Sequence, residues 1–274
     1  MLNTHHIVAP ERGSHSRLTR TEASSLFRRY KQEFPKEVRK VDVQQDESLE
    51  QIRDAWIKLR YKSGSIDRYY LRICTILKEL KYSSKDVEKF SIALADFQDD
   101  ERFSFKAGTF LSALVNNCQD QDFVIQTKHF SVLVAHLGLR NIKNVTINGD
   151  VDHHLAYRMK KGTIVVNGNV GDNPGLGMRN GAIIINGNAG EMVGLMMKNG
   201  TIIVNGNTDE CAGACMFNGS IKINGNTGRS VGFMMQGGEV HVNGEFESID
   251  DNYFVGRIYQ MGELICERGI ANVR

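Results

Sequence analysis

The sequence predicts a mainly β protein with an α-helical N-terminal domain, in which the β part is a right-handed parallel β-helix of six 19-residue coils. Asn-Gly pairs recur at a constant spacing of 19 residues, and a glycine column and a methionine column keep the same period. A fixed short period held over six copies is typical of a solenoid. The pairs begin at Asn148, Asn167, Asn186, Asn205, Asn224 and Asn243.

The predicted strand of each coil is a short alternating segment that ends at the Asn-Gly pair. The residues three and one positions before every asparagine are β-branched, which suits a strand. Residues two apart in a strand face the same side. We therefore expect two aliphatic ladders inside the helix, formed by Val145, Ile164, Ile183, Ile202, Ile221 and Val240, and by Ile147, Val166, Ile185, Val204, Ile223 and Val242.

Glycines mark the turns between these strands. Asn-Gly is expected to supply the positive φ angles of a tight corner, and the asparagine side chains are expected to stack as amide ladders. A methionine column that includes Met178 and Met197 is expected to fill the remaining side of the core. The predicted structural glycines are Gly168, Gly171, Gly175, Gly187, Gly190, Gly194, Gly206, Gly213, Gly225, Gly228 and Gly232.

These turns carry a resemblance to the GXGXG superfamily of right-handed β-helices. Tandem Gly-x-x-Gly-x-x-x-Gly coils, each followed by Met-x-x-Gly and an Ile/Val-rich strand ending in Asn-Gly-Asn, resemble the β-helical subunit of formylmethanofuran dehydrogenase. They are also similar to the C-terminal domain of the large subunit of glutamate synthase, and the segment from Gly256 to Leu264 is more like the ending of stand-alone domains of that type. The resemblance covers about residues 141–270. It implies a structural domain whose redox cofactors and catalytic residues lie elsewhere, so no catalytic residue and no cofactor is expected here.

Composition places the domain boundary near residue 141. Of the 27 glycines, 23 follow Asn144. The expected order is a flexible tail over 1–20, a helical bundle or capping domain over 21–140, and the β-helix over 141–274. The net charge of +2 is too small to indicate a nucleic-acid-binding protein. Five cysteines, an odd number, and the absence of a long apolar run predict a cytoplasmic protein without a membrane span.

Amphipathic helices are expected between Thr21 and Gln98, and a packing or dimerisation role is the ordinary interpretation of such a bundle. A DNA-binding module is the alternative, but no recognition helix with clustered Arg and Asn stands out. The predicted helices are Thr21–Phe34, one after a capping box at Ser48, one capped by Ser65, and one starting at Ser84.

The segments at the two ends of the solenoid are expected to close it, because a bare coil exposes unpaired backbone groups. Residues 101–143 are expected to cap the first coil. They include a short helix at Phe105–Val115 and a strand at Asp122–Gln126. The segment Phe130–Leu137 could be a helix or a strand. An irregular segment, Tyr253–Ile265, is expected at the other end.

Three groups of side chains are candidate metal or redox sites, and each has a plain structural alternative. Cys211 and Cys215 lack a second pair and are expected to stack among methionines as small, soft packing residues. His153 and His154 could be ligands or a general base, or simply a polar corner of the first coil. The tail histidines could bind a metal, or belong to a disordered or partner-docking arm; these are His5, His6 and His15. No metal site is assigned.

An outward-facing column between the two ladders predicts a contact surface. Its middle members, Val165, Ile184 and Ile203, are aliphatic where a solvent-facing strand is ordinarily polar. We expect them to be buried by residues 21–140 of the same chain or by a second protomer.

Two functions follow from these features. The first is a non-catalytic scaffold or protein-interaction subunit that binds protein subunits, in a homo-oligomer or an enzyme complex, without contact with a membrane or nucleic acid. The second is implied by the resemblance. It is a subunit of a formylmethanofuran dehydrogenase-like oxidoreductase or formyltransferase, or of a glutamate synthase-like amidotransferase, with catalysis on other subunits.

Overall fold

The computed structural model describes residues 43–60, 64–249 and 254–268. The predicted tail over 1–20 and the predicted helix Thr21–Phe34 lie outside the described residues. The chain from Val43 onward forms one compact unit. Its helices are α1 (Val43–Lys58), α2 (Ile66–Leu77), α3 (Ser84–Ala93), followed by a 3-10 turn at Leu94–Phe97, and α4 (Phe103–Asn117).

Two of the predicted helix starts are confirmed. Ser65 accepts a hydrogen bond from the N–H of Arg68 at the start of α2. The side chains of Ser83 and Asp86 form a reciprocal capping box in front of α3. The capping box predicted at Ser48 is wrong, because the residues from Val43 onward are already helical and place Ser48 inside α1. A serine with a glutamine three positions later, as in Ser48 and Gln51, can also occur within a helix, so the motif alone does not fix a start.

The strands follow as one sheet. They are β1 (Asp122–Gln126), β2 (Asn144–Asn148), β3 (Thr163–Asn167), β4 (Ala182–Ile185), β5 (Thr201–Val204), β6 (Ser220–Ile223), β7 (Glu239–Val242), β8 (Gly256–Gln260) and β9 (Glu263–Arg268). The order in the sheet is the order in the chain, and the pairs from β1 to β8 are parallel.

The predicted β-helix is confirmed, and its interior is the pair of aliphatic ladders. Ile183, for example, pairs in register with Ile164 and Ile202, and all three are fully buried. The methionine column that includes Met178 and Met197 is also fully buried. The prediction of six coils beginning at Val145 is one coil short at the start, because β1 pairs with β2 along its whole length.

Two helices close the first coil of the solenoid. Ser91 of α3 accepts the N–H of Gln126 in β1 at 3.0 Å. One face of α4, with residues four apart, lies along the next part of the same coil. Ser112 accepts the N–H of Leu139 at 3.1 Å, and Asn116 accepts the N–H of Ile142 at 3.1 Å. Polar side chains of the helices thus replace the missing neighbouring coil as hydrogen-bond partners.

The approach of α4 to this coil is so close that only glycine fits at the contact. A Cβ on Gly108 would lie 1.8 Å from the carbonyl oxygen of Ala135. The predicted capping of the first coil is therefore present. Its agents are α3 and α4, whereas the residues after Asp122 form a coil of their own.

Replacing Ser112 with Ala is expected to lower the free energy of unfolding by about 1–3 kcal/mol, because a buried N–H loses its partner. The serine hydroxyl also donates to the carbonyl of Gly108 at 2.6 Å. Chemical denaturation measures the loss, and hydrogen exchange should speed up at the amide of Leu139. Thr75→Ala is the control, because that hydroxyl bonds within its own helix and is exposed. An equal loss in both variants would contradict the capping role.

The prediction of an irregular segment over Tyr253–Ile265 at the C-terminal end of the solenoid is wrong. Among the described residues there, β8 adds a parallel strand and β9 turns back antiparallel to it. Ile258 continues an inward ladder and is fully buried. The Asn-Gly period ends at Gly244, so repeat spacing could not reveal the last strand.

Candidate functional site

The corners of the solenoid are held by amide ladders and by close contacts between coils. Asn186 donates from its side chain to Asn167 at 2.7 Å, and the predicted ladder continues in both directions. The expectation that the Asn-Gly glycines adopt positive φ is wrong for most of them, including Gly187. A Cβ on Gly187 would instead lie 2.5 Å from the carbonyl oxygen of Gly168 on the preceding coil.

In each of the other two predicted glycine columns, a different contact disfavours a side chain. Gly175, Gly194, Gly213 and Gly232 have φ between +72° and +77°, and a Cβ on each would meet an inward-facing side chain. At Gly190 a Cβ would lie 2.1 Å from the Asp172 side chain. Gly171 and Gly228 are crowded less severely, by the backbone or side chains of the preceding coil. A side chain at any of these positions would therefore crowd a neighbouring coil or the core.

The predicted interface stripe, Val165, Ile184 and Ile203, is half-buried. The three side chains are neighbours in register on β3, β4 and β5. The described helices pack on one another and on β1, and none of them lies across these strands. Cover by the described residues of 21–140 is therefore not seen, and residues 21–42 lie outside the description. The stripe remains a predicted interface.

A second apolar surface lies on the turns of the C-terminal coils and was not predicted. We call it the methionine face: Leu195, Met196, Cys215, Phe217, Phe233 and Met234. Met196 and Met234 are 49% and 47% exposed, and Phe217 and Phe233 are 45% and 41% exposed. Backbone hydrogen bonds join the turns, from Met196 N–H to Ala214 and from Cys215 N–H to Phe233. Large side chains so exposed on successive coils form a contiguous apolar patch, which is typical of a contact site.

The two edges of this turn region carry opposite charges. Asp172 and Glu191 are exposed, and Glu210 is half-buried, at the start of successive turns. Lys160, Arg179 and Lys198 are exposed at the end of successive turns. Both columns keep the 19-residue period and therefore run parallel to the solenoid axis. At the coil of Met196 the methionine face lies between Glu191 and Lys198. On the next coils the same two columns carry Glu210, which is ion-paired with Arg229 at 2.8 Å, and Phe217.

Three histidines from two successive turns meet at the start of the solenoid. The candidate ligand atoms of His136, His153 and His154 all lie within 4.8 Å of one another. The rings of His136 and His154 stack with centroids 4.7 Å apart, and the ring of His153 stands edge-on to that of His154 at 4.8 Å. The backbone N–H of His136 donates to the carbonyl of His153 at 3.0 Å, which ties the two turns together.

The environment keeps two of these rings neutral at pH 7. Burial lowers the pKa of His136 to about 4, and His154 and His153 add to the effect. Burial, and then His153, lower the pKa of His154. The Nδ1 atoms of His136 and His154 are buried and have no hydrogen-bond partner among the described residues. The Nδ1 of His153 lies 3.0 Å from the carboxylate of Asp152.

His136 was missed in the sequence, although a signal for it exists. The segments His136-Leu-Gly-Leu-Arg140 and His154-Leu-Ala-Tyr-Arg158 match, but at a spacing of 18 residues instead of 19. The strand pair Asp122 and Asn144 is 22 residues apart, so insertions and a deletion hide the first coil from a strict period. Both arginines bind Asp67 of α2 at 2.8 Å, which confirms that the two turns are equivalent.

Cys211 and Cys215 lie on the turns as expected, at positions equivalent to those of Met192 and Met196. Neither forms a disulfide. Among the described residues, the only group of three His, Cys, Asp or Glu side chains close enough to share an ion is the histidine trio. Within the same residues, no helix combines the length and apolar character needed to cross a membrane.

A scan against protein-family models finds no match for this chain, and a search of curated proteins finds no similar sequence.

Proposed function

We propose that the protein is a non-catalytic scaffold subunit that binds other protein subunits through its β-helix. The observation that supports this function best is the methionine face, which exposes two Met and two Phe side chains on a rigid, regularly bonded surface. Methionine adapts its shape to a partner surface, and aromatic residues are enriched at interfaces. The described part of the chain leaves these four side chains 41–49% exposed.

The partner that the charges favour is a second copy of the chain. Two methionine faces can meet about a two-fold axis that runs parallel to the solenoid. This operation places the acidic edge of one copy, with Glu191, against the basic edge of the other, with Lys198. A two-fold axis across the coils would instead oppose like charges, which is unfavourable. The first arrangement is self-complementary, as an isologous dimer requires.

Sedimentation velocity over a range of protein concentrations tests the proposal. The parent chain is expected to form a dimer, and Met234→Glu is expected to shift the population to monomer. Lys198→Glu should also weaken the dimer, because Glu191 then faces a like charge. The double variant Glu191→Lys, Lys198→Glu should restore association, because it exchanges the two edges on both copies.

Lys222→Glu is the matched control, since Lys222 is exposed on the outer face of β6, away from the turns. It should not change association. A parent chain that stays monomeric at high concentration would overturn contact with a second copy. A dimer that is unchanged by Met234→Glu would show that another surface, such as the stripe at Val165, Ile184 and Ile203, forms the contact.

The alternative function is membership of a formylmethanofuran dehydrogenase-like or glutamate synthase-like complex, as a structural component. It is supported by the resemblance of the Gly-x-x-Gly-x-x-x-Gly turns and the Met-x-x-Gly elements. Purification from the native cell would favour it if a metalloenzyme or an amidotransferase co-purifies in stoichiometric amount. Loss of that enzyme from Met234→Glu would place the contact on the methionine face.

A further inference from the structure

We propose that His136, His153 and His154 bind a divalent transition-metal ion of the Zn²⁺ class at the junction between α4 and the first coils. The three rings come from two turns that are locked together by a backbone hydrogen bond, so the site is present only in the folded chain. Imidazole nitrogen is a preferred ligand for Zn²⁺, Ni²⁺ and Co²⁺. This inference is independent of the scaffold function.

The buried nitrogens of the cluster suit a metal ligand set. A histidine binds a metal through the lone pair of a ring nitrogen. The buried, unpartnered Nδ1 atoms of His136 and His154 are lone pairs or N–H groups removed from water with no protein group to satisfy them. Such atoms are costly in a folded protein unless something else bonds to them. A metal ion would satisfy the lone pairs.

The third ring is oriented by a carboxylate. Asp152 lies 3.0 Å from Nδ1 of His153, which favours a proton on Nδ1 and leaves the lone pair of Nε2 as the donor to a metal. Metal-binding histidines ordinarily have such a partner for the other ring nitrogen. Asp152 is therefore a positioning residue, because it acts on the site through His153.

Binding of one ion by all three histidines requires the imidazole rings to rotate. The ligand atoms lie up to 4.8 Å apart, whereas nitrogen ligands about 2.0–2.1 Å from a tetrahedral ion are roughly 3.4 Å from one another. The rings of His136 and His154 are stacked in parallel and must turn toward each other. Both side chains are on turns, are half-buried and do not belong to the inward ladders.

A position for a ligand from solution is also available. His136, Asp152 and His153 form one wall of an open cleft of about 660 Å³, and Glu101, Arg102, Ser104 and Phe105 line the rest. Three protein ligands with the fourth position open to a cleft is the arrangement of Zn²⁺ sites that hold a water molecule. The ion would therefore be accessible to small polar ligands that enter the cleft.

The test is titration of the purified full chain with Zn²⁺ by calorimetry, with Co²⁺ as a spectroscopic probe. The background carries His5→Ala, His6→Ala and His15→Ala, so that the histidines before residue 43 do not contribute. We expect one ion per chain, absorption bands of nitrogen-coordinated Co²⁺, and a metal-dependent rise in Tm that a chelator reverses.

Asparagine is the replacement that preserves the fold at two of the three positions. His136 and His154 have φ of 59° and 61°, and Asn173 occupies the equivalent position of the next coil with φ of 59°. His136→Asn and His154→Asn should each abolish stoichiometric binding while the Tm without metal changes little. Asp152→Asn should weaken binding by about 10–100-fold, the range typical of such a partner.

His129→Ala and His241→Ala are matched controls, because these histidines lie outside the cluster, His129 beside Ile92 and His241 stacked on Tyr259. They should bind Zn²⁺ like the parent. Failure of the parent background to bind one Zn²⁺, or undiminished binding by His136→Asn and His154→Asn, would overturn the site.

Discussion

Replacing Ile183 with Asp is expected to lower the free energy of unfolding by several kcal/mol, a large fraction of the stability of a typical domain. Ile183 is fully buried in the middle of a ladder, with Ile164 and Ile202 directly above and below it. A carboxylate there would have aliphatic neighbours and no hydrogen-bond donor. Thermal and chemical denaturation measure the loss, and circular dichroism should show reduced strand content.

The neighbouring residue supplies the control. Ile184 differs from Ile183 by one position, so its side chain points to the outside of the same strand and is half-buried. Ile184→Asp introduces the same carboxylate at a hydrated site and should lower the free energy of unfolding much less. If the two variants unfolded at the same temperature, the assignment of the inner and outer faces of β4 would be wrong.

Gly194→Val is expected to destabilise the solenoid by more than the ~1 kcal/mol of an average substitution. Gly194 has φ of +72°, and a Cβ there would lie 2.5 Å from Cδ1 of Ile221 in the core. A β-branched residue is strained at positive φ and would also push into the ladder. A melt of the purified variant measures the change in Tm.

Gly177→Met is the matched control for a side chain at positive φ without crowding. Gly177 also has positive φ, 61°, but a Cβ there would meet only Cγ of Arg158 at 3.6 Å. The chain itself places Met196 and Met234 at the equivalent positions of later coils, with φ of 54° and 50°. Gly177→Met should therefore be tolerated. Equal damage from both variants would show that positive φ alone, without crowding, explains the glycine column.

The sequence could predict the solenoid because each coil repeats the same local chemistry. The β-branched pair before each asparagine, such as Ile183 and Ile185, fixes the strand and its inward face. The prediction of a helix start at the capping box of Ser48 was wrong for the opposite reason. It was a single local motif with no repetition to support it, and the preceding residues decided that Ser48 is interior.

The surface features could not be predicted in the same way. Met196 and Met197 are adjacent, yet Met197 is fully buried, whereas Met196, with φ of 54°, is 49% exposed. Repeat spacing does not reveal the sign of φ. The sequence indicates two members of the histidine cluster, His153 and His154. His136 belongs to a coil whose length departs from the period.

The two ends of the solenoid decide whether stacked copies can become a fibre. The interior of this fold repeats the parallel, in-register stacking from which amyloid fibrils are built. A fibre grows only if both ends of each unit accept another strand. At one end, Ser91, Ser112 and Asn116 already occupy the backbone groups that an incoming strand would need. The closed first coil therefore blocks end-to-end growth of the sheet through β1.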